Sequence, residues 1–198
     1  MTTTVPGSYG ALEAQRDESG PRGSADATAS LPTVSTSLLI NGQLVEVDVE
    51  PRRSLSDVLR RETGLTGTTV GCEQGSCGTC TVLLDGAPVR SCIVLAAQAT
   101  EKKVETVESL GQGGRLSRLQ EEFRRHGALQ CGFCTPGFLM IATEFLRRHP
   151  RPTRSEVTRE MAGNLCRCTG YEPIIDAVLA SVDADSGEIA ADETTVLE

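Results

Sequence analysis

The chain has 198 residues, enough for one or two small domains with cores of their own. Its net charge of −8 opposes a nucleic-acid phosphate backbone, and 3% aromatic residues with no Trp leave no base-stacking surface. No apolar run approaches the roughly 20 residues that span a bilayer.

Eight cysteines leave two broad options: disulfides in an exported protein, or metal ligands in a reducing compartment. Residues 1–32 lack a basic start followed by an apolar core. Arg52-Arg53 is a twin arginine, but it lies deep and no apolar stretch follows it. The expectation is a cytoplasmic protein with reduced thiols.

Residues 1–33 are mostly Thr, Ser, Gly, Ala, Pro and scattered charge. Such a segment buries too little apolar surface to offset its ordering entropy, so a disordered N-terminal extension is expected, or a strap on a partner. The stretch 34–110 reads as a β-rich domain. Leu38 and Ile40, then Asn41-Gly42, then Leu44 form a hairpin signature, and Val45, Val47 and Val49 alternate until Pro51. Ser54, with Asp57 in capping-box position, opens a helix whose apolar face is Leu55, Val58 and Leu59; Gly64 is its expected end. Val82 and Leu84 run through Asp85-Gly86 to Val89 as a second hairpin, and Val104 and Val107 suggest an edge strand. The order predicts a sheet with one helix packed across it.

Between the helix and the second hairpin lies Gly71-Cys72-Glu73-Gln74-Gly75-Ser76-Cys77-Gly78-Thr79-Cys80, with Cys92 beyond. The spacing Cys72-x4-Cys77-x2-Cys80 is the plant-type [2Fe–2S] pattern, and Cys92 can supply the fourth thiolate. Glycines let such a loop turn tightly and bring amide N–H groups to the sulfurs of an anionic cluster. Zinc is the competing ion, but its knuckles prefer C-x2-4-C pairs, which Cys72 and Cys77 fit loosely. Glu73 and Gln74 read as solvated loop residues.

The stretch 111–185 reads as helical. Gly111-Gln112-Gly113-Gly114 lacks the Lys of a phosphate loop and reads as a linker. Ser117 caps a helix with Leu116, Leu119 and Phe123 on its apolar face and Gly127 at its end. Thr135 as N-cap and Pro136 at N1 open a second, lined by Phe138, Ile141, Ala142 and Phe145 and stopped by Pro150. Thr153 and Glu156 box a third through Val157 and Met161. Pro173 starts a fourth, with Ile174, Ile175, Val178, Leu179 and Val182. Four short helices predict a bundle. His126 and His149 fall at helix ends, where a helix dipole explains them better than catalysis.

The second cysteine quartet is split. Cys131-x2-Cys134 precedes one helix and Cys166-x-Cys168 precedes another. Residues two apart on a helix point different ways, so Cys166 and Cys168 need irregular backbone. Two helix N-termini facing one site suit a [2Fe–2S] cluster whose formal charge is about −2 oxidised and −3 reduced. Structural zinc fits that spacing as well.

Three stretches carry a resemblance: 71–82 (Gly-Cys-Glu-Gln-Gly-Ser-Cys-Gly-Thr-Cys-Thr-Val), 129–137 (Leu-Gln-Cys-Gly-Phe-Cys-Thr-Pro-Gly) and 163–171 (Gly-Asn-Leu-Cys-Arg-Cys-Thr-Gly-Tyr). Over 36–181 the chain resembles the small iron–sulfur subunit of the molybdenum hydroxylases, the xanthine oxidase family, which includes carbon monoxide and nicotine dehydrogenases. The resemblance implies an α+β fold: an N-terminal β-grasp ferredoxin domain, then a four-helix-bundle [2Fe–2S] domain. Residues 186–198 fall outside the resemblance and are expected to form a flexible acidic tail. It implies Cys72, Cys77, Cys80 and Cys92 as ligands of one cluster and Cys131, Cys134, Cys166 and Cys168 as ligands of the other. It places Gln130 and Cys168 beside the molybdopterin of a large subunit, and FAD in a medium subunit, in a dimer of heterotrimers. Electrons then pass singly from molybdopterin through two clusters to FAD, and this chain has no catalytic residue of its own. Two other readings stand beside it: a free two-cluster ferredoxin, and a zinc-stabilised interaction module.

Overall fold

The computed structural model describes residues 31–111 and 113–182. The expectations for residues 1–30 and 186–198 lie outside the described residues. Among those described, no helix is long and apolar enough to cross a membrane.

Asn41 and Gly42 both take positive φ, 50° and 83°, as a two-residue turn matched to strand twist requires. They join β1 (Val34–Ile40) to β2 (Gln43–Val49) in an antiparallel hairpin running from Val34↔Val49 to Ile40↔Gln43. Asp85 and Gly86 repeat the device and join β3 (Thr81–Leu84) to β4 (Ala87–Arg90). Among the described residues the hairpins are joined in one sheet through β5 (Lys103–Glu105), which runs parallel to β1 and antiparallel to β3; the sheet order is β2-β1-β5-β3-β4. Sequence placed this strand at an edge. It lies in the middle because Val104 is apolar enough to be buried on a three-residue strand.

Ser54 caps the crossing helix as expected, its hydroxyl accepting from the Asp57 N–H at 3.1 Å. The α-helical part, α1 (Leu55–Asp57), is a single turn, and Val58–Glu62 continue as a π-helical turn. The widening follows the hydrogen bonds: Thr63 N–H reaches Val58 C=O, and the Thr63 hydroxyl takes the Leu59 C=O at 2.7 Å. Gly64, at φ 73°, turns the chain out. Leu55, Val58 and Leu59 pack on Leu38, Ile40, Val82 and Val104 to form one core.

The second core gathers α2 (Arg118–Arg125), α3 (Thr135–Arg148), α4 (Arg154–Met161) and α5 (Glu172–Ala180) around Phe123, Phe138, Phe145, Met161 and Ile174. Ser117 and Gln120, then Thr153 and Glu156, form capping boxes. Gly127, at φ 62°, ends α2. Two expectations change. Leu116 lies ahead of the helix and is exposed, because the cap at Ser117 starts α2 one residue beyond it. Cys134, not Thr135, holds the N-cap of α3; the Thr135 hydroxyl is buried with no hydrogen-bond partner and cannot cap. The sheet and helices together make an α+β fold.

Candidate metal centres

The first quartet is built by one loop and its closing turn. Gly75 and Gly78 take φ of 77° and 79°, and Glu73 takes 54°, so the chain between Cys72 and Cys80 curls around its own sulfurs. The Cys77 N–H points at Cys72 Sγ, 3.4 Å away. The amides of Gln74, Cys77 and Ser76 and the Cys77 thiol together pull the Cys72 thiol down to about 6. That shift favours the thiolate, the form that binds iron. Cys92 is brought in by the turn after β4. Ser91 donates through both its N–H (3.3 Å) and its hydroxyl (2.7 Å) to the Cys80 C=O, and Leu55 N–H to Val94 C=O ties the same turn to α1. Burial, then the neighbouring Cys80 thiol, pushes Cys92 up to about 11. Glu73 and Gln74 are exposed, as a solvated loop requires.

The second quartet is assembled across the helical core. Cys131 and Cys134 precede α3; Cys166 and Cys168 sit on irregular backbone between α4 and α5, as the spacing demands. Cys168 Sγ lies 3.6 Å from Cys131 Sγ, and both residues are exposed. Cys134 and Cys166 are buried and in contact; burial, then Cys166, pushes the Cys134 thiol up to about 12. Burial also opposes the Cys166 thiolate, but the Thr169 hydroxyl at 3.1 Å, the Thr169 amide and the Cys168 amide outweigh it and the shift is downward. Cys168 is shifted upward, chiefly by the Cys131 thiol.

The thiols of each nest therefore come in pairs: Cys72 with Cys77, Cys80 with Cys92, Cys131 with Cys168, Cys134 with Cys166. Among the described residues no three His, Cys, Asp or Glu groups converge on a single ion. Two pairs per nest suit two irons bridged by sulfide, each taking two thiolates, better than one tetrahedral zinc. The donor set fits a [2Fe–2S] group.

Sequence reasoning missed several supporting residues. Thr79 places its hydroxyl 3.4 Å from Cys77 Sγ, as Thr169 does for Cys166. Tyr171 accepts the Cys166 N–H on its hydroxyl at 3.0 Å, and its own backbone sits at φ 73°. The signal was in plain view: each is a hydroxyl two to five residues from a cysteine. Gln130 is exposed beside the exposed Cys131.

Two family models match end to end. Residues 38–110 match a 2Fe-2S iron-sulfur cluster binding domain, and residues 106–179 match a [2Fe-2S] binding domain. The chain is thus a carrier of two iron–sulfur domains, a protein that takes up and passes on electrons. It is 56% identical over 140 residues to the nicotine 6-hydroxylase small subunit of Paenarthrobacter nicotinovorans, covering 71% of this chain and 84% of the relative. It is 45% identical over 150 residues to the xanthine dehydrogenase iron-sulfur-binding subunit of Escherichia coli O157:H7, covering 74% and 93%. A chain of quinoline 2-oxidoreductase from Pseudomonas putida 86 superposes with a TM-score of 0.74 at 54% identity, over 79% of this chain and 99% of that one. The chain belongs to the small [2Fe–2S] subunits of the molybdenum hydroxylase family and is the electron-transfer subunit of an oxidoreductase complex.

Proposed function

We propose that this subunit relays single electrons from a molybdopterin site in a large partner subunit to FAD in a medium one, in a cytoplasmic dimer of heterotrimers. A bound [2Fe–2S] cluster accepts and releases one electron at a time, which divides a two-electron oxidation into single steps. The β-grasp domain (34–110) holds one cluster on Cys72, Cys77, Cys80 and Cys92. The four-helix bundle (111–185) holds the other on Cys131, Cys134, Cys166 and Cys168.

The observation that carries this reading is the asymmetric exposure of the second nest. Cys131 and Cys168 are open to solvent while Cys134 and Cys166 are buried. Beside these cysteines in the sequence, Leu129, Phe133 and Leu165 are 41%, 47% and 55% exposed, the Phe133 ring reaching Gly71 of the first nest. Exposed apolar side chains flanking the ligand cysteines make an apolar rim of the kind a docked partner would cover. Gln130 stands in that rim, where its amide can hydrogen-bond a pterin edge, and Cys168 is the ligand presented to the same side. At the first nest, Ile93 and Leu95 are exposed next to Cys92, and a pocket of about 440 Å³ opens there between Arg52, Arg60, Arg61, Asp57 and Cys92. That side fits the flavin-bearing partner. A stand-alone ferredoxin would have no use for an uncovered apolar rim, and so ranks second.

The test is purification of the complex with reduction followed by EPR. Two distinct [2Fe–2S] signals and co-purifying molybdenum and flavin are expected. Cys77→Ser is expected to remove one signal and leave the other; loss of both would overturn two separate sites. Gln130→Ala is expected to keep both signals while weakening pterin retention, and unchanged cofactor content and rate would remove that role. Recovery of the chain alone, without molybdenum, would favour the free carrier.

A further inference from the structure

Asn164 lies between the two cysteine nests, 1% exposed, and neither its side-chain oxygen nor its nitrogen has a hydrogen-bond partner. An amide buried in that state is destabilising, and folded proteins seldom keep one without a use. Its backbone is held firmly. The Asn164 N–H donates to Met161 C=O at 3.1 Å, at the end of α4. The preceding Gly163 C=O accepts from Arg90 Nη2 at 2.6 Å, and the same guanidinium reaches the Thr81 hydroxyl beside Cys80 at 2.5 Å. The following Leu165 N–H donates to the Cys77 C=O at 2.9 Å.

The side chain faces two glycines. A Cβ on Gly78 would stand 1.8 Å from Asn164 Oδ1, and a Cβ on Gly137 would stand 2.8 Å from Nδ2 and 2.4 Å from the Gly78 C=O. Three backbones therefore meet at one flat amide: the loop after Cys77, the start of α3 after Cys134, and the segment leading to Cys166. A bulkier, branched apolar side chain would run into both glycines; a smaller one would leave the seam unfilled.

On the reading that the eight cysteines hold two [2Fe–2S] clusters, we propose that Asn164 is a positioning residue for electron passage between them. Its planar side chain is the spacer that fixes the Cys77 C=O···H–N Leu165 contact, which joins a ligand residue of one nest to the neighbour of a ligand, Cys166, in the other. In the step it serves, one electron leaves the helical-side site, which is oxidised, and enters the β-side site, which is reduced. No bond is made or broken and no proton moves.

The test is EPR of the fully reduced chain in its complex. Unpaired electrons on two nearby centres split each other's signals, and the splitting falls steeply with their separation. The unsubstituted chain is expected to show two mutually split signals. Asn164→Ala is expected to keep both signals and the iron content but shrink the splitting. Arg90→Gln, which frees Gly163, is expected to shrink the splitting as well. Unchanged splitting in Asn164→Ala with both clusters present would overturn the proposal, as would two unsplit signals in the unsubstituted chain. Where Asn164→Ala does not keep its clusters, unchanged splitting in Arg90→Gln would do the same. No signal at all from the unsubstituted chain would remove the cluster reading itself, and this proposal with it.

Discussion

The two nests hold the same number of thiols by opposite means. The first is local: Cys72, Cys77 and Cys80 share one loop whose turns come from positive-φ residues, and Cys92 is tied in by Ser91 on the Cys80 carbonyl. The second is distant: its paired thiols lie far apart in sequence, as in Cys131 with Cys168 (|i−j| = 37), and the helical core brings them together. The first nest should therefore tolerate damage to packing and suffer from damage to backbone shape. The second should show the reverse.

The largest expected effect sharpens that contrast. Phe138 is fully buried on α3 and meets the Tyr171 ring edge-on, with centroids 6.1 Å apart. Phe138→Ala should cost about 3–5 kcal/mol. Its measurable mark is a lower thermal midpoint, with the helical-side EPR signal lost ahead of the β-side one; simultaneous loss would break the comparison. Next comes Gly78→Ala. Its φ of 79° and the Asn164 contact impose backbone strain and overpacking together, about 3 kcal/mol. Here the β-side signal should weaken first, read by iron content and EPR.

Tyr171→Phe removes the hydroxyl that accepts the Cys166 N–H at 3.0 Å. A buried N–H left unpaired there costs about 1–3 kcal/mol. Heating the reduced protein should bleach the helical-side signal at a lower temperature and leave the β-side one unmoved. The smallest effect concerns the pair that ties the sheet to the helices. Arg147 on α3 grips Glu105 on β5 with two hydrogen bonds, 3.1 and 2.8 Å, and this holds the Glu105 carboxyl below its ordinary value. A depressed carboxyl stabilises the fold above its unfolded pKa of about 4.5, and the benefit disappears as pH falls through the folded value. Glu105→Gln should cost roughly 0.5–1 kcal/mol at neutral pH, since the pair is partly exposed. The difference from the unsubstituted protein should vanish in acid; a constant difference across pH would show that the ion pair contributes nothing.

Much of this architecture was legible in the sequence, and the reasons are physical. Asn41-Gly42 and Asp85-Gly86 announce their turns because few other residue pairs accept two successive positive φ values. The capping residues Ser54, Ser117 and Thr153 announce helix starts through a local hydrogen bond. Cysteine spacing announced the thiol groupings. What stayed hidden depends on distant partners. Three residues, Lys103–Glu105, cannot declare that they will sit at the centre of a sheet, because their ladder partners lie on β1 and β3. Thr135 looked like a cap, yet tertiary packing left its hydroxyl enclosed and moved the cap to Cys134. Asn164 and Arg90 gave no sign of sharing a seam, since they are polar residues 74 positions apart in the chain.

The central place of β5 has a consequence for how the protein comes into being on the ribosome. The first hairpin, the β-side cysteine loop and the second hairpin are all synthesised before Lys103, yet the two hairpins share no ladder until β5 slots between them. It follows that a chain stopped short of residue 103 has both hairpins, and the loop and turn that carry its first four thiols, without the strand that joins the two hairpins into one sheet. The sheet beside that nest is therefore closed by the last of its strands to be made.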